Sequence, residues 1–219
     1  KDHFAPDFAT VLQVGIVGLL AQIAESEQAH AQDAQGLDFL EAMRCTLHAL
    51  QERLLAHAKQ ARALVGTQGY DDARLAFIAQ NCEQVATGVP ESFAQGLQLV
   101  WMIHSCFLYE GRYAMALGRI DRYLYPLYQH DVAAGVLDQA GATELLSNAL
   151  IKICEYRYCL GYDDVVNICI GGCDERGACA VNALSYATLY AVRDINMPGP
   201  NLSARISPDT PDAFLDECL

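Results

Sequence analysis

Positive charge is what this chain lacks most. Its 219 residues include 14 Lys and Arg against 27 Asp and Glu, a formal net charge of -13. An acidic surface repels phosphate backbones and anionic headgroups, which argues against nucleic-acid or membrane-surface binding. No basic run and no interleaved aromatic-basic patch offsets that reading. Long apolar runs are also missing: the best, from Val11 to Ile23, is broken by Gln13 and Gln22 and is too short to span a bilayer. It reads as a buried amphipathic helix. The start, Lys1-Asp2-His3-Phe4-Ala5-Pro6, has no basic head followed by an apolar core, so no signal peptide is expected. Internal repeats and low-complexity tracts are absent as well.

Apolar residues make up 53% and charged residues 19%, enough apolar side chain to bury a core. Nine cysteines are present, an odd number at irregular spacing. Most read as reduced thiols acting as small hydrophobes in a cytoplasmic, anaerobic setting. Cys169, Cys173 and Cys179 match no common zinc or iron-sulfur spacing and read as buried thiols. His48 and Glu52 lie one helical turn apart, but no third ligand accompanies them, so they read as a solvated helix face.

Helical periodicity dominates. A first helix is expected from Asp7 to about Ser26, with Phe8, Val11, Leu12, Ile16, Leu19 and Ile23 on one stripe. Gly15 and Gly18 weaken that helix, which suggests a close approach by another chain segment. Residues 26–36 read as a solvated helix end or linker. A long helix from about Leu37 to Val65 follows, then one from Asp71 to Ala86, then an apolar, buried helix capped by Ser92. Gly111 to Gly118 reads as an extended or irregular crossing segment. Further helices are expected over Arg119–Ala134, Asp138–Tyr158 and Ala180–Asp194. Strands are expected over Val165–Ile170 and Asn201–Ile206, joined by the last helix as a parallel crossover.

Several phrases recur in a meaningful order. They are His3, Pro6-Asp7-Phe8, Leu12 with Gly15 and Gly18, Phe93-Ala94-Gln95-Gly96-Leu97-Gln98, Gly118-Arg119-Ile120-Asp121-Arg122-Tyr123, Asn167 to Gly172, Asn182 to Tyr186, and Asn201-Leu202-Ser203-Ala204-Arg205. Together they resemble the glycyl radical enzymes, the pyruvate formate-lyase superfamily. Ala183, Ala178 and Arg122 depart from the residues usual at those places.

The resemblance implies a helix-rich α/β fold, a portion of the family's ten-stranded β/α barrel. The helical part would span about 1–110, and the barrel strands and crossover helices about 111–219. It also implies radical cleavage of a small-molecule substrate by a lyase or dehydratase, supported by a radical SAM activating enzyme, in a homo-oligomer. The family's reactive cysteine lies on a loop beyond the Pro-Asn-Leu-Ser strand, and its radical glycine near the far C-terminus. Neither context occurs in these 219 residues, so this chain is expected to hold no catalytic residue, metal or cofactor of its own and to supply scaffold and pocket walls. The alternative is a truncated, non-catalytic relative acting as a binding or interaction module.

By the same resemblance, Tyr113 and Ala114 are pocket residues, with a core aromatic as the other reading of Tyr113. His3 and Asp7 match positions that contact substrate in some dehydratase-type relatives, with a frayed terminus as the other reading. Arg119, Asp121 and Arg205 are expected to fix structure, Arg119 and Asp121 by pairing or anchoring loops. Tyr113 differs from the small residue of pyruvate formate-lyase, which mildly disfavours pyruvate.

Overall fold

The computed structural model describes residues 3–112, 114–160 and 166–219, with the backbone alone for 156–160. The chain divides into two compact units. One holds Asp7–Cys106; the other holds Phe107–Leu219 with the N-terminal segment.

The first unit is helical. Helix α1 spans Phe8–Ala29, α2 Ala34–Leu64, α3 Asp72–Thr87, and α4 begins at Phe93 and runs to Tyr109. Each start follows from a cap. Asp7 caps α1, Asp33 caps α2 and Asp71 caps α3, each accepting from backbone N–H groups of the first turn. Ser92 Oγ accepts from Gln95 N–H at 3.3 Å ahead of α4. No residue of α4 from Phe93 to Leu108 is exposed, as its apolar character predicts.

At 22 residues, α1 has the length and hydropathy of a membrane span, longer than the Val11–Ile23 run suggested. Phe8, Val11, Leu12, Ile16 and Ile23 are instead buried within the unit, where α1 packs on α2 and α3. The helix is also broken at Gly15, which has φ 69° and ψ 175°. A Cβ there would stand 2.7 Å from the Gly88 carbonyl oxygen. Gly15 therefore serves a close approach of backbones; Gly18 meets only Val14 of its own helix. The N-terminal half of α2 is more exposed than its apolar stripe implied: Phe39 and Met43 face solvent, and burial is confined to Leu54, Ala58 and Ala61.

The second unit is α/β. Strand β1 is Ala116–Gly118, β2 Asn167–Gly171 and β3 Asn201–Arg205, all parallel in the order β1-β2-β3. Between β1 and β2 lie α5 (Ile120–Tyr123), α6 (Tyr125–Ala133) and α7 (Gln139–Leu160). Helix α8, Ala183–Ile195, joins β2 to β3, and α9, Asp212–Cys218, follows. The parallel crossover expected from the sequence is present. Strand β1 falls in the segment expected to be extended or irregular. The single helix expected over 119–134 breaks at Leu124, because Pro126 has no N–H to give the Arg122 carbonyl.

The core of this unit lies around β2, where Ile168 and Ile170 are buried with Leu117, Leu124, Leu146, Leu184 and Phe214. Phe214 seats edge-on against Tyr186, ring centroids 5.4 Å apart, which fixes α9 on α8. Strand β3 is exposed at Asn201, Ser203 and Arg205 and has a partner on one edge only among the described residues.

Candidate functional site

A buried polar network lies at the C-terminal ends of the strands, the end where parallel α/β sheets carry their functional loops. Asp121, in α5, has no solvent exposure. Its Oδ2 accepts from Gly171 N–H at 2.7 Å and from the Ser185 hydroxyl at 2.6 Å. Asn182 Nδ2 donates to the Asp121 carbonyl at 2.8 Å, while Asn182 Oδ1 caps α8 through Leu184 and Ser185 N–H. Ser185 Oγ in turn accepts from Asn182 N–H at 3.1 Å, closing a capping box.

Arg119 donates to the Cys173 carbonyl at 2.8 Å and to the Gly171 carbonyl. Arg119 and Asp121 therefore grip the same loop rather than each other, which settles how the expected anchoring is achieved. Gly171 and Gly172 both have positive φ, 69° and 76°. Gly172 N–H donates to the Arg205 carbonyl at 2.8 Å, and a Cβ on Gly172 would meet Arg205 Cβ at 2.9 Å. Glycine is required there by conformation and by space.

Burial lifts the Asp121 carboxyl above its ordinary range; the Ser185 and Gly171 hydrogen bonds and the nearby Arg119 and Arg122 act in the opposite direction. Asp121 Oδ1 and Arg119 Nε are buried without a hydrogen-bond partner among the described residues. Arg122, one of the departures noted in the sequence, pairs with Glu175 at 3.1 Å. The arrangement fixes the Gly171-Gly172 loop and the start of α8.

Of the two expected pocket residues, the described one, Ala114, lies at the opposite, N-terminal end of β1. Ala114 is half-buried and stands two residues before the strand. The segment bearing His3 reaches the same end: Ala116 N–H donates to the Phe4 carbonyl at 2.9 Å, and Phe4 packs edge-on against Phe107. His3 and Ala114 thus flank one hydrogen bond, with His3 exposed. Tyr113 lies outside the described residues.

Asp7 is exposed and committed to its cap, with Oδ1 accepting from Thr10 N–H at 3.1 Å and Oδ2 from Thr10 Oγ1 at 2.7 Å. Those bonds hold its carboxyl below the usual carboxylate range. Among the described residues, no group of three or more His, Cys, Asp or Glu could hold a metal. His48 turns to Gln51 at 3.0 Å on an exposed face.

Elsewhere, an open cleft of about 710 Å³ lies between α7 and α8, lined by Asp138, Glu144, Tyr190, Arg193 and Asp194. It shares no residue with the positions expected from the sequence. In the helical unit His104 is 1% exposed, with neither ring nitrogen hydrogen-bonded among the described residues, and burial lowers its pKa to about 4. Neither feature had a signal in the sequence. The cleft residues are ordinary helix-face residues, and a histidine inside an apolar helix carries no mark of its burial.

Comparison with known proteins accounts for the converging phrases. The pyruvate formate lyase-like family model matches residues 1–219. The chain is 32% identical to Probable dehydratase YbiW of Escherichia coli (strain K12), over 99% of this chain and 29% of that protein. It is 30% identical to trans-4-hydroxy-L-proline dehydratase of Clostridioides difficile, over 80% of this chain and 24% of that protein. Among solved structures, the glycerol-bound B12-independent glycerol dehydratase from Clostridium butyricum superposes with a TM-score of 0.89 at 28% identity, covering 98% of this chain and 29% of the other. A glycyl radical enzyme from Archaeoglobus fulgidus gives 0.87 at 26% identity, over 99% of this chain and 30% of the other. The chain therefore spans under a third of the length of the relatives it matches.

Proposed function

Because this chain belongs to the pyruvate formate lyase-like family, the glycyl radical enzymes, we propose that it is the scaffold and part of the pocket wall of a dehydratase or related lyase. The observation that carries this is the 32% identity to a probable dehydratase along 99% of the chain. The dehydratase relatives act, by their names, on hydroxylated small molecules, and that substrate class is the one transferred here.

In such an enzyme the glycyl radical supplies hydrogen-atom abstraction, through a cysteine that, like the radical glycine, is not among these residues. The residues of this chain position and enclose. Ala114 and His3, at the entry to β1, form wall and donor surface. Tyr113 supplies an aromatic or hydroxyl contact, and Asp7 a carboxylate acceptor. The Asp121–Gly171–Ser185 arrangement holds the loop after β2 in place, since small misplacements at a reacting centre are costly in rate. A radical SAM activating enzyme is the partner such a protein needs. A homo-oligomer in an anaerobic cytoplasm is its expected setting.

The test is anaerobic turnover by the full-length, activated protein of glycerol, propane-1,2-diol, choline and trans-4-hydroxy-L-proline, with pyruvate alongside. Turnover of a hydroxylated compound supports the reading. Strong pyruvate cleavage overturns it. An intact mass near 23.9 kDa in the native source would favour the non-catalytic reading instead.

A further inference from the structure

We infer that Cys173 and Cys179 form a dithiol site that a small-molecule disulfide oxidises to a disulfide within one hairpin. The two residues are partners in an isolated antiparallel bridge. The flanking bonds define its type. Ala180 N–H donates to the Gly172 carbonyl at 2.7 Å, and Asp174 N–H donates to the Ala178 carbonyl at 2.9 Å. The cysteines exchange no backbone bond with each other, so they are a non-hydrogen-bonded pair. In such pairs the Cα atoms stand about 4.5 Å apart and the side chains leave on one face. Disulfides accept Cα separations from about 4.4 Å upwards.

The hairpin holds this geometry by itself. Asp174 Oδ1 accepts from Arg176 and Ala178 N–H, each at 2.9 Å, and Gly177 turns the chain at φ 82°. Arg119 holds the Cys173 carbonyl at 2.8 Å. Both thiols are free and half-buried, within reach of a small reagent, unlike the buried Cys82 and Cys154. Cys173 and Cys179, expected as buried thiols, are half-buried instead.

The reaction is thiol-disulfide exchange with a glutathione-type disulfide. One cysteine, as its thiolate, attacks a sulfur of the oxidant, forming a mixed disulfide and releasing one small thiolate. The second cysteine attacks the protein-bound sulfur, the Cys173–Cys179 bond forms, and the second small thiolate leaves. The cysteines give up two electrons and their two protons, and the small disulfide takes up both.

The test is peptide mapping of the full-length protein after incubation with oxidised glutathione and alkylation. Trypsin cleaves after Arg176, between the two cysteines, so the bond would join the peptide ending at Arg176 to the one beginning at Gly177. The expected result is that linked pair, released by dithiothreitol. It is lost in Cys173→Ser and in Cys179→Ser and kept in Cys169→Ser and Cys218→Ser. Recovery of the wild-type peptides unlinked, each glutathionylated or alkylated, would overturn the inference. A link that survives Cys173→Ser would do the same.

Discussion

The Ser185 hydroxyl donates a 2.6 Å hydrogen bond to the carboxylate of Asp121, a residue 64 positions earlier in the chain. That bond joins the start of α8 to α5, and the same carboxylate oxygen holds Gly171 at the end of β2. The sheet, the loop and the crossover helix thus share one buried acceptor. Removing a member leaves others unpaired in a place water does not reach.

Ser185→Ala should therefore lower the unfolding free energy by about 1–3 kcal/mol, the cost of an unsatisfied buried group. Asp121→Ala should cost more, because Gly171 N–H and the Ser185 hydroxyl both lose their acceptor. Asp121→Asn retains a carbonyl oxygen and should be milder than alanine. Urea denaturation midpoints of the three variants check the order.

Glycines at positive φ separate conformation from crowding. Gly177→Ala meets nothing within 4 Å and should cost only the left-handed penalty, about 1–2 kcal/mol. Gly172→Ala adds a contact at 2.9 Å with Arg205 Cβ and should cost more than Gly177→Ala. Equal losses in thermal or urea unfolding would show that the Gly172–Arg205 approach is relaxed in solution.

His104 makes stability pH-dependent. Its folded pKa, about 4, lies below the unfolded value of 6.5 because burial disfavours the imidazolium. The unfolded state therefore takes up the proton first as the pH falls. The stabilisation is complete above about pH 6.5 and is lost progressively towards pH 4, by an amount on the order of 3 kcal/mol. Unfolding free energies measured between pH 7 and 4.5 should fall more steeply in the parent protein than in His104→Phe.

Asp7 is a cap in the structure and a substrate contact in the functional proposal. Asparagine caps helices about as well as aspartate, so Asp7→Asn should leave unfolding nearly unchanged. The proposal then requires a fall in turnover by the full-length enzyme, with KM rising. Unchanged kinetics would leave Asp7 as a cap alone.

Much of this fold was readable from residue patterns, for identifiable reasons. Acidic and serine caps fixed the starts of α1, α3 and α4, and the β-branched run before Gly171 marked β2. Strand β1 was legible only as an extended or irregular segment, because Ala116-Leu117-Gly118 is three residues long and lacks a β-branched side chain. The break at Leu124 was available from Pro126 but was outweighed by the apolar periodicity around it. Arg119, Asp121, Gly171, Asn182, Ser185 and Arg205 were visible as phrases. Only the three-dimensional structure shows that they meet. The Cys173–Cys179 pairing depends on a turn whose hydrogen bonds come from Asp174, and irregular cysteine spacing carried no sign of it.

The central claim is that these residues scaffold a radical enzyme. Its most direct test is electron paramagnetic resonance on the full-length polypeptide, treated anaerobically with S-adenosylmethionine, a reductant and the radical SAM protein from the same source. The account predicts a stable glycine-centred radical that disappears on exposure to oxygen. A full-length polypeptide that carries no such radical after that treatment, yet folds and binds its partner, would contradict it.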